Sequence, residues 1–246
     1  MSEKVGVAIV GLGGAVATTA VAGIEMIKAG SNDFSGLPLA DRDIADMTAY
    51  RDLEFGGWDL ADSDLGTCAL KHGVLSESEL DNGAGALRDM KAWPAVGSKA
   101  HCANIDGNNR MADGHRGAVA QIKSDLESFK RDRGLDRVVV VNLASTEKMP
   151  DADAQSLTSR EAFERGLDDD DTAISPAMLY AYAAIESGSP YANFTPSVAA
   201  DVAPLAEMAR EMGVPIAGKD GKTGQTFLKT VIAPALKERA LHVDGW

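Results

Sequence analysis

The sequence predicts an α/β fold, a doubly wound parallel sheet, from three features of the chain. VGVAIV, at Val5–Val10, is a continuous apolar run of the length expected for a strand buried on both faces. It stops at a glycine turn that opens a helix-favouring stretch, and strand-like and helix-like segments then alternate along most of the chain. With 246 residues, 45% of them hydrophobic, 25% charged and only 9 prolines, the chain supports a packed core as one large domain or two small ones.

Taken in order, GLGG follows the first strand and leads into a helix over 14–29, with Val16, Ala20, Ile24 and Ile27 on one face and Gly30 as its C-cap. Residues 31–50, with Gly, Pro, Ser and Asp and little periodicity, predict a loop. RDLEFGGWD at 51–59 predicts a second strand ending in a glycine turn. Residues 60–116 carry no readable period. A helix follows from about Ala118 to Arg133, closed by Gly134, and runs into the β-branched strand DRVVVVNLA. Ser175 and Pro176 predict the N-cap and first residue of the helix SPAMLYAYAAIESG, YANF a short strand, 197–213 another helix, and VPIAG the next strand.

Composition excludes several classes of function. The balance of 24 Lys and Arg against 37 Asp and Glu gives a net charge of −13 with no basic stripe, which argues against a nucleic-acid partner. The acidic run Asp168 to Asp171 predicts a solvated loop. Cys68 and Cys102 are too few for a disulfide framework or a Cys-based zinc site, and His72, His101, His115 and His242 are not paired at helical spacing, so no metal site is expected. No apolar stretch reaches the roughly 18 residues of a membrane span, and the N-terminus lacks the layout of a secretory signal. A cytoplasmic protein with no membrane partner is the expectation.

Three stretches can carry chemistry. Gly11, Gly13 and Gly14 follow a strand and open a helix, the context in which a dinucleotide pyrophosphate meets free N–H groups, although Val16 stands where GxGxxG has its third glycine. Glycines kept for the sterics of the turn are the alternative. NLASTE, 142–147, lies at the carboxyl end of a strand, where its hydroxyls can serve a ribose or an amide or simply cap the next turn. GKDGKTGQT, 218–226, brings N–H groups, two hydroxyls, an amide and Lys222 into one turn. That suits an anion without having P-loop spacing, and a capped turn with a solvated lysine is the alternative.

In sequence order, GLGG, FGGWD, NLASTE, ISPAMLYAYAAIESGSPYAN and VPIAGKDGKTGQTFLKTVIAPALK resemble the inositol-3-phosphate synthase family in its bacterial form, along nearly the whole chain. The resemblance implies a Rossmann-like NAD-binding domain over 1–226 and the start of a catalytic and tetramer-forming domain over 227–246. It implies NAD as cofactor, glucose 6-phosphate as substrate and a homo-oligomer. The family's reaction makes inositol 3-phosphate: NAD⁺ oxidises C5, the enolised ketone closes the ring by aldol attack, and the NADH reduces the product ketone.

Position by position, the resemblance assigns Gly11, Gly13, Gly14 and Ala15 to the pyrophosphate and Asp59 to the adenosine ribose. Ala144, Ser145 and Thr146 fall on a cofactor-side loop and Asp220 beside the nicotinamide; Lys222, Thr223, Gly224, Gln225 and Thr226 fall on the substrate phosphate. Gly221 and NFTP depart from the family pattern. The family's catalytic lysines have no counterpart before Trp246, so no catalytic residue is assigned, and the resemblance implies an incomplete nucleotide-binding domain, inactive by itself. An NAD-dependent sugar-phosphate dehydrogenase and a non-catalytic nucleotide-binding module are the alternatives.

Overall fold

The computed structural model of the chain describes residues 3–244 other than 38, 41, 43, 46, 112, 113, 222 and 223, with only the backbone described at 224–226. Five strands, β1 (Val5–Val10), β2 (Leu53–Trp58), β3 (Arg137–Asn142), β4 (Tyr191–Asn193) and β5 (Ile216–Ala217), form one parallel sheet in the order β2-β1-β3-β4-β5. The main helices are α1 (Ala15–Lys28), α2 (Leu65–His72), α3 (His115–Arg133), α4 (Arg160–Asp168), α5 (Pro176–Glu186), α6 (Ala203–Met212) and α7 (Gly224–Glu238). The fold is thus the predicted α/β one.

Side-chain alternation on β1 divides the core. Ile9 joins Leu12, Ala17, Val21, Leu65 and Leu87 on the face covered by α1 and α2. Ala8 and Val10 join Val138, Val140, Ile122 and Phe129 on the other face, where α3, α5 and α6 lie. Val10 sits level with Trp58 of β2 and Asn142 of β3, so three strands end together. The chain leaves β1 for β2 on one side and reaches β3 on the other. That reversal opens a crevice at the strands' carboxyl ends, the position at which open α/β sheets bind ligands.

Several local expectations change. The buried face of α1 is Ala17, Thr18, Val21 and Ala22, not the stripe through Val16 and Ala20; Val16 is 65% exposed. Small residues let α1 lie close on the sheet, and the Thr18 hydroxyl is satisfied locally by donating to the Gly14 carbonyl at 2.9 Å. Helix α3 begins at His115 rather than near Ala118, because Asp170 accepts the His115 N–H and the Asp171 carbonyl lies 3.0 Å from His115 Nε2. The acidic run is therefore more than a solvated loop. Asp168 meets Arg116 Nε at 2.7 Å, while Asp171 accepts from Ala173 N–H at 2.9 Å and Ser156 Oγ at 2.7 Å.

Ser175 does stand at the N-cap of α5 with Pro176 opening the helix, but its hydroxyl caps nothing; a carboxylate from elsewhere, Glu147, takes the Ala177 N–H at 3.1 Å. Helix α6 covers only Ala203–Met212, with Pro204 in its first turn, because Ser197 is drawn into a buried polar cluster instead. Within 60–116, α2 is capped by Asp64, which accepts Thr67 N–H at 2.9 Å, and closed by Gly73 at φ 66°. Asn109 then ties the segment down by donating to the carbonyls of Asp59 and Trp93 at 2.9 and 3.1 Å.

Candidate functional site

The glycine turn lies at the floor of the crevice, and its own N–H groups are already used. Gly11 and Leu12 donate to the Trp58 carbonyl at 2.8 and 3.1 Å, Gly13 to Asp59 Oδ2 at 2.8 Å, and Gly14 to the Gly11 carbonyl at 3.0 Å. The donors left for a ligand are those that open α1, at Ala15 and Val16, since Gly14 as N-cap brings no side chain to them. The glycines supply clearance. A Cβ on Gly11, at φ 84°, falls 2.8 Å from Ala144 Cα; on Gly13 it falls 3.1 Å from Asp59 Cγ; on Gly14 it meets only the Gly11 carbonyl oxygen, at 3.1 Å.

Asp59, just beyond β2, is held at both oxygens, Oδ2 by Gly13 N–H and Oδ1 by Ala61 N–H at 2.9 Å. Its remaining lone pairs suit sugar hydroxyls. A cavity of about 400 Å³ opens here, within the usual range for cofactor sites, and it gathers Gly11, Gly13, Gly14, Asp59, Ala144 and Ser145. Ala15 is exposed at the start of α1, and Thr146 is exposed outside the cavity lining. Asp220, exposed at φ 66° with its N–H on the Thr195 carbonyl at 3.2 Å, is on another loop and does not line the cavity either. Lys222 and Thr223 lie outside the described residues, and Gly224, Gln225 and Thr226 are described only as the backbone that opens α7.

Two features of the cavity, and one buried pair outside its lining, escape the sequence reading. Lys71 and His72, at the end of α2, line it, and His72 Nε2 lies 2.9 Å from the Gly13 carbonyl oxygen. Asn142 and Asn193, 1% and 4% exposed, pair across the ends of β3 and β4: Asn142 Nδ2 donates to Asn193 Oδ1 at 3.3 Å, Asn142 Oδ1 accepts Ala144 N–H at 3.1 Å, and Asn193 Nδ2 donates to the Ser197 carbonyl at 2.7 Å. Glu147 also lines the cavity, its carboxyl pushed above the usual range by burial and only partly restored by Ser175 and the Ala177 N–H. The residue types were visible in NLASTE and YANFTPS; their partners were not.

Among the described residues no group of three or more His, Cys, Asp or Glu is arranged to hold a metal ion, and no helix is long and apolar enough to cross a membrane. The Cys68 thiol is buried and pushed up, by burial first and then by Asp59 and Asp64.

Comparison with known proteins agrees with this geometry. An inositol-3-phosphate synthase of Bacteroides thetaiotaomicron is 35% identical over 99% of this chain and 60% of its own length. One from Oryza sativa subsp. japonica is 27% identical over 95% of this chain and 52% of its own. The chain thus spans about half to three fifths of the length of these relatives. In fold it is similar to inositol-3-phosphate synthase from Caenorhabditis elegans, with TM-score 0.83 and 20% identity over 98% of this chain and 53% of that one. A myo-inositol-1-phosphate synthase-related protein from Thermotoga maritima gives TM-score 0.68 and 22% identity, over 97% of this chain and 60% of that one.

An NAD-binding family model described as myo-inositol-1-phosphate synthase matches residues 27–237. The cofactor is therefore NAD, and the cavity fits it: an uncapped helix N-terminus, glycines where a side chain would intrude, and an anchored carboxylate. The family match starts beyond the glycine turn, which the Bacteroides alignment covers, and it runs through β2, β3, β4 and β5 and most of the helices behind them. A match of that extent, on this sheet, places the chain in the myo-inositol-1-phosphate synthase family.

Proposed function

We propose that the chain forms the cofactor-binding part of an NAD-dependent isomerase that converts D-glucose 6-phosphate to 1D-myo-inositol 3-phosphate by oxidation, enolisation, intramolecular aldol closure and reduction. The observation that carries this reading is the crevice itself, where the start of α1 and the doubly anchored Asp59 face one cavity in a chain whose relatives are named inositol-3-phosphate synthases. NAD, when bound, accepts a hydride and returns it.

In this reading the N–H groups of Ala15 and Val16 hold the pyrophosphate, and Gly11, Gly13 and Gly14 keep its path clear. Asp59 accepts from the adenosine ribose. Ala144, Ser145 and Thr146 flank the nicotinamide side with Asp220 beside it, and the turn Lys222, Thr223, Gly224, Gln225 and Thr226 receives the substrate phosphate. The division into 1–226 and 227–246 falls inside α7, which makes that helix the link between the cofactor domain and catalytic elements. The family resemblance supports a homotetramer as the working assembly.

The test is incubation of the chain, together with catalytic elements from a relative, with NAD⁺ and glucose 6-phosphate, following inositol phosphate and absorbance of NADH together. Inositol phosphate without NADH accumulation supports the isomerase. Net NADH overturns it in favour of a sugar-phosphate dehydrogenase, and NAD⁺ binding without turnover in the presence of catalytic elements from a relative overturns it in favour of a non-catalytic module.

A further inference from the structure

We propose that Glu147 is a cofactor-contacting residue whose carboxylate accepts a hydrogen bond from the nicotinamide-riboside half of the bound dinucleotide. This rests on the cavity being the NAD site. Asp59 ends β2 on one side of β1, and Glu147 follows β3 on the other, so a dinucleotide whose adenosine end meets Asp59 extends its second half toward Glu147.

Each oxygen of the carboxylate has a different fate. Oε1 accepts the Ala177 N–H at 3.1 Å, at the positive end of α5; Oε2 is buried and, among the described residues, has no well-formed hydrogen bond, the Ser175 hydroxyl offsetting only part of its burial. The neighbouring Ser175 hydroxyl, 4% exposed, is likewise without a well-formed hydrogen bond. An unsatisfied buried carboxylate oxygen is costly, and at a cavity wall it is complemented by a ligand that brings a donor or positive charge. The oxidised nicotinamide ring is cationic, its carboxamide donates, and the attached ribose carries hydroxyls.

The residue is also held in place before any ligand arrives. Its own N–H donates to Ser197 Oγ at 3.0 Å, and Ser197 is fixed in turn by Thr195 and Asn193. The loop after β3 is thereby fastened to the loop after β4 and to the start of α5, which keeps the carboxylate aimed without cost at binding. No lysine or arginine neutralises it among the described residues, and the titratable groups that sense its charge are Tyr180 and Tyr191, buried phenols pushed far above their usual range and neutral throughout.

The experiment is calorimetry on the full chain with NAD⁺, ADP-ribose and ADP, for wild type and Glu147→Gln. The variant keeps an acceptor for Ala177 and loses the charge. The expected result is a loss of about tenfold or more in NAD⁺ affinity, as for one charge-assisted hydrogen bond, with ADP affinity unchanged. A parallel loss for ADP-ribose puts the contact at the ribose, and an intact ADP-ribose affinity puts it at the nicotinamide. Wild-type NAD⁺ affinity also falls as pH is lowered through a titration above the ordinary carboxylate range, a fall that Glu147→Gln abolishes. Unchanged NAD⁺ affinity in the variant, an equal loss for ADP, or a wild-type profile flat across that titration overturns the proposal while leaving the site standing. A wild-type chain that binds neither NAD⁺ nor ADP removes the site and this proposal together.

Discussion

At the scale of single residues, the three glycines of the turn are not equivalent. Gly11 combines φ 84° with a Cβ position 2.8 Å from the Ala144 backbone, so Gly11→Val is expected to destabilise the fold by about 2 kcal/mol or more, read by denaturant titration. Gly14→Val meets only the Gly11 carbonyl oxygen, at 3.1 Å, and should cost less stability than Gly11→Val while cutting NAD⁺ affinity at least tenfold, because the new side chain stands over the start of α1. Equal NAD⁺ affinity in Gly14→Val would remove the pyrophosphate from that turn. Gly13→Val is a poorer probe, since it presses on Asp59 and Cys68.

Asp171 offers a test at the same scale that is independent of ligands. Its pKa is lowered by the Ala173 N–H first and by Ser156 next. A folded-state pKa below the unfolded one gives stability that is present above the ordinary aspartate pKa and lost as pH falls through the lowered value. Asp171→Ala should therefore cost about 1 kcal/mol near neutrality and little at strong acid. A pH-independent difference between the two proteins would contradict this.

At the scale of elements, α5 and α7 are opposites. Every residue from Pro176 to Ile185 is buried, whereas α7 exposes Phe227 (71%), Leu228, Val231 and Ile232 along its length and carries Pro234, which donates no N–H. A helix of 15 residues whose apolar stripe is exposed gains little from burial among the described residues, and isolated helices of about that length are marginal. Hydrogen exchange should find the amides of α7 unprotected relative to those of α5 by two or more orders of magnitude. Comparable protection in both would mean that α7 is covered in solution.

At the scale of the whole molecule, the cavity lies where the two halves of the core meet, lined by Trp58 of one cluster and by the turn carrying Leu12 of the other. A ligand there binds the folded state only. NAD⁺ at a hundredfold excess over its dissociation constant should add about 2.7 kcal/mol, a rise of roughly 5–10 °C in Tm for a chain of this size. A Tm unchanged at saturating NAD⁺ would mean that the folded chain does not bind it.

The sequence by itself determined β1, the glycine turn, α3 with β3, and α5, because each rests on local apolar runs, caps and glycines within a few residues. It also carried the resemblance that led to NAD. It did not settle which stripe of α1 is buried, since 3.6-residue periodicity fits Val16 and Ala20 as well as Ala17 and Val21, and only the close approach to the sheet selects the small residues. Nor did it expose α2, a helix of 8 residues too short for a period to emerge. Tertiary structure alone decided the placement of Glu147, which is hydrogen-bonded to Ala177 and Ser197, 30 and 50 residues away in sequence. A buried carboxylate takes its role from what surrounds it, and no local pattern records contacts made across strands.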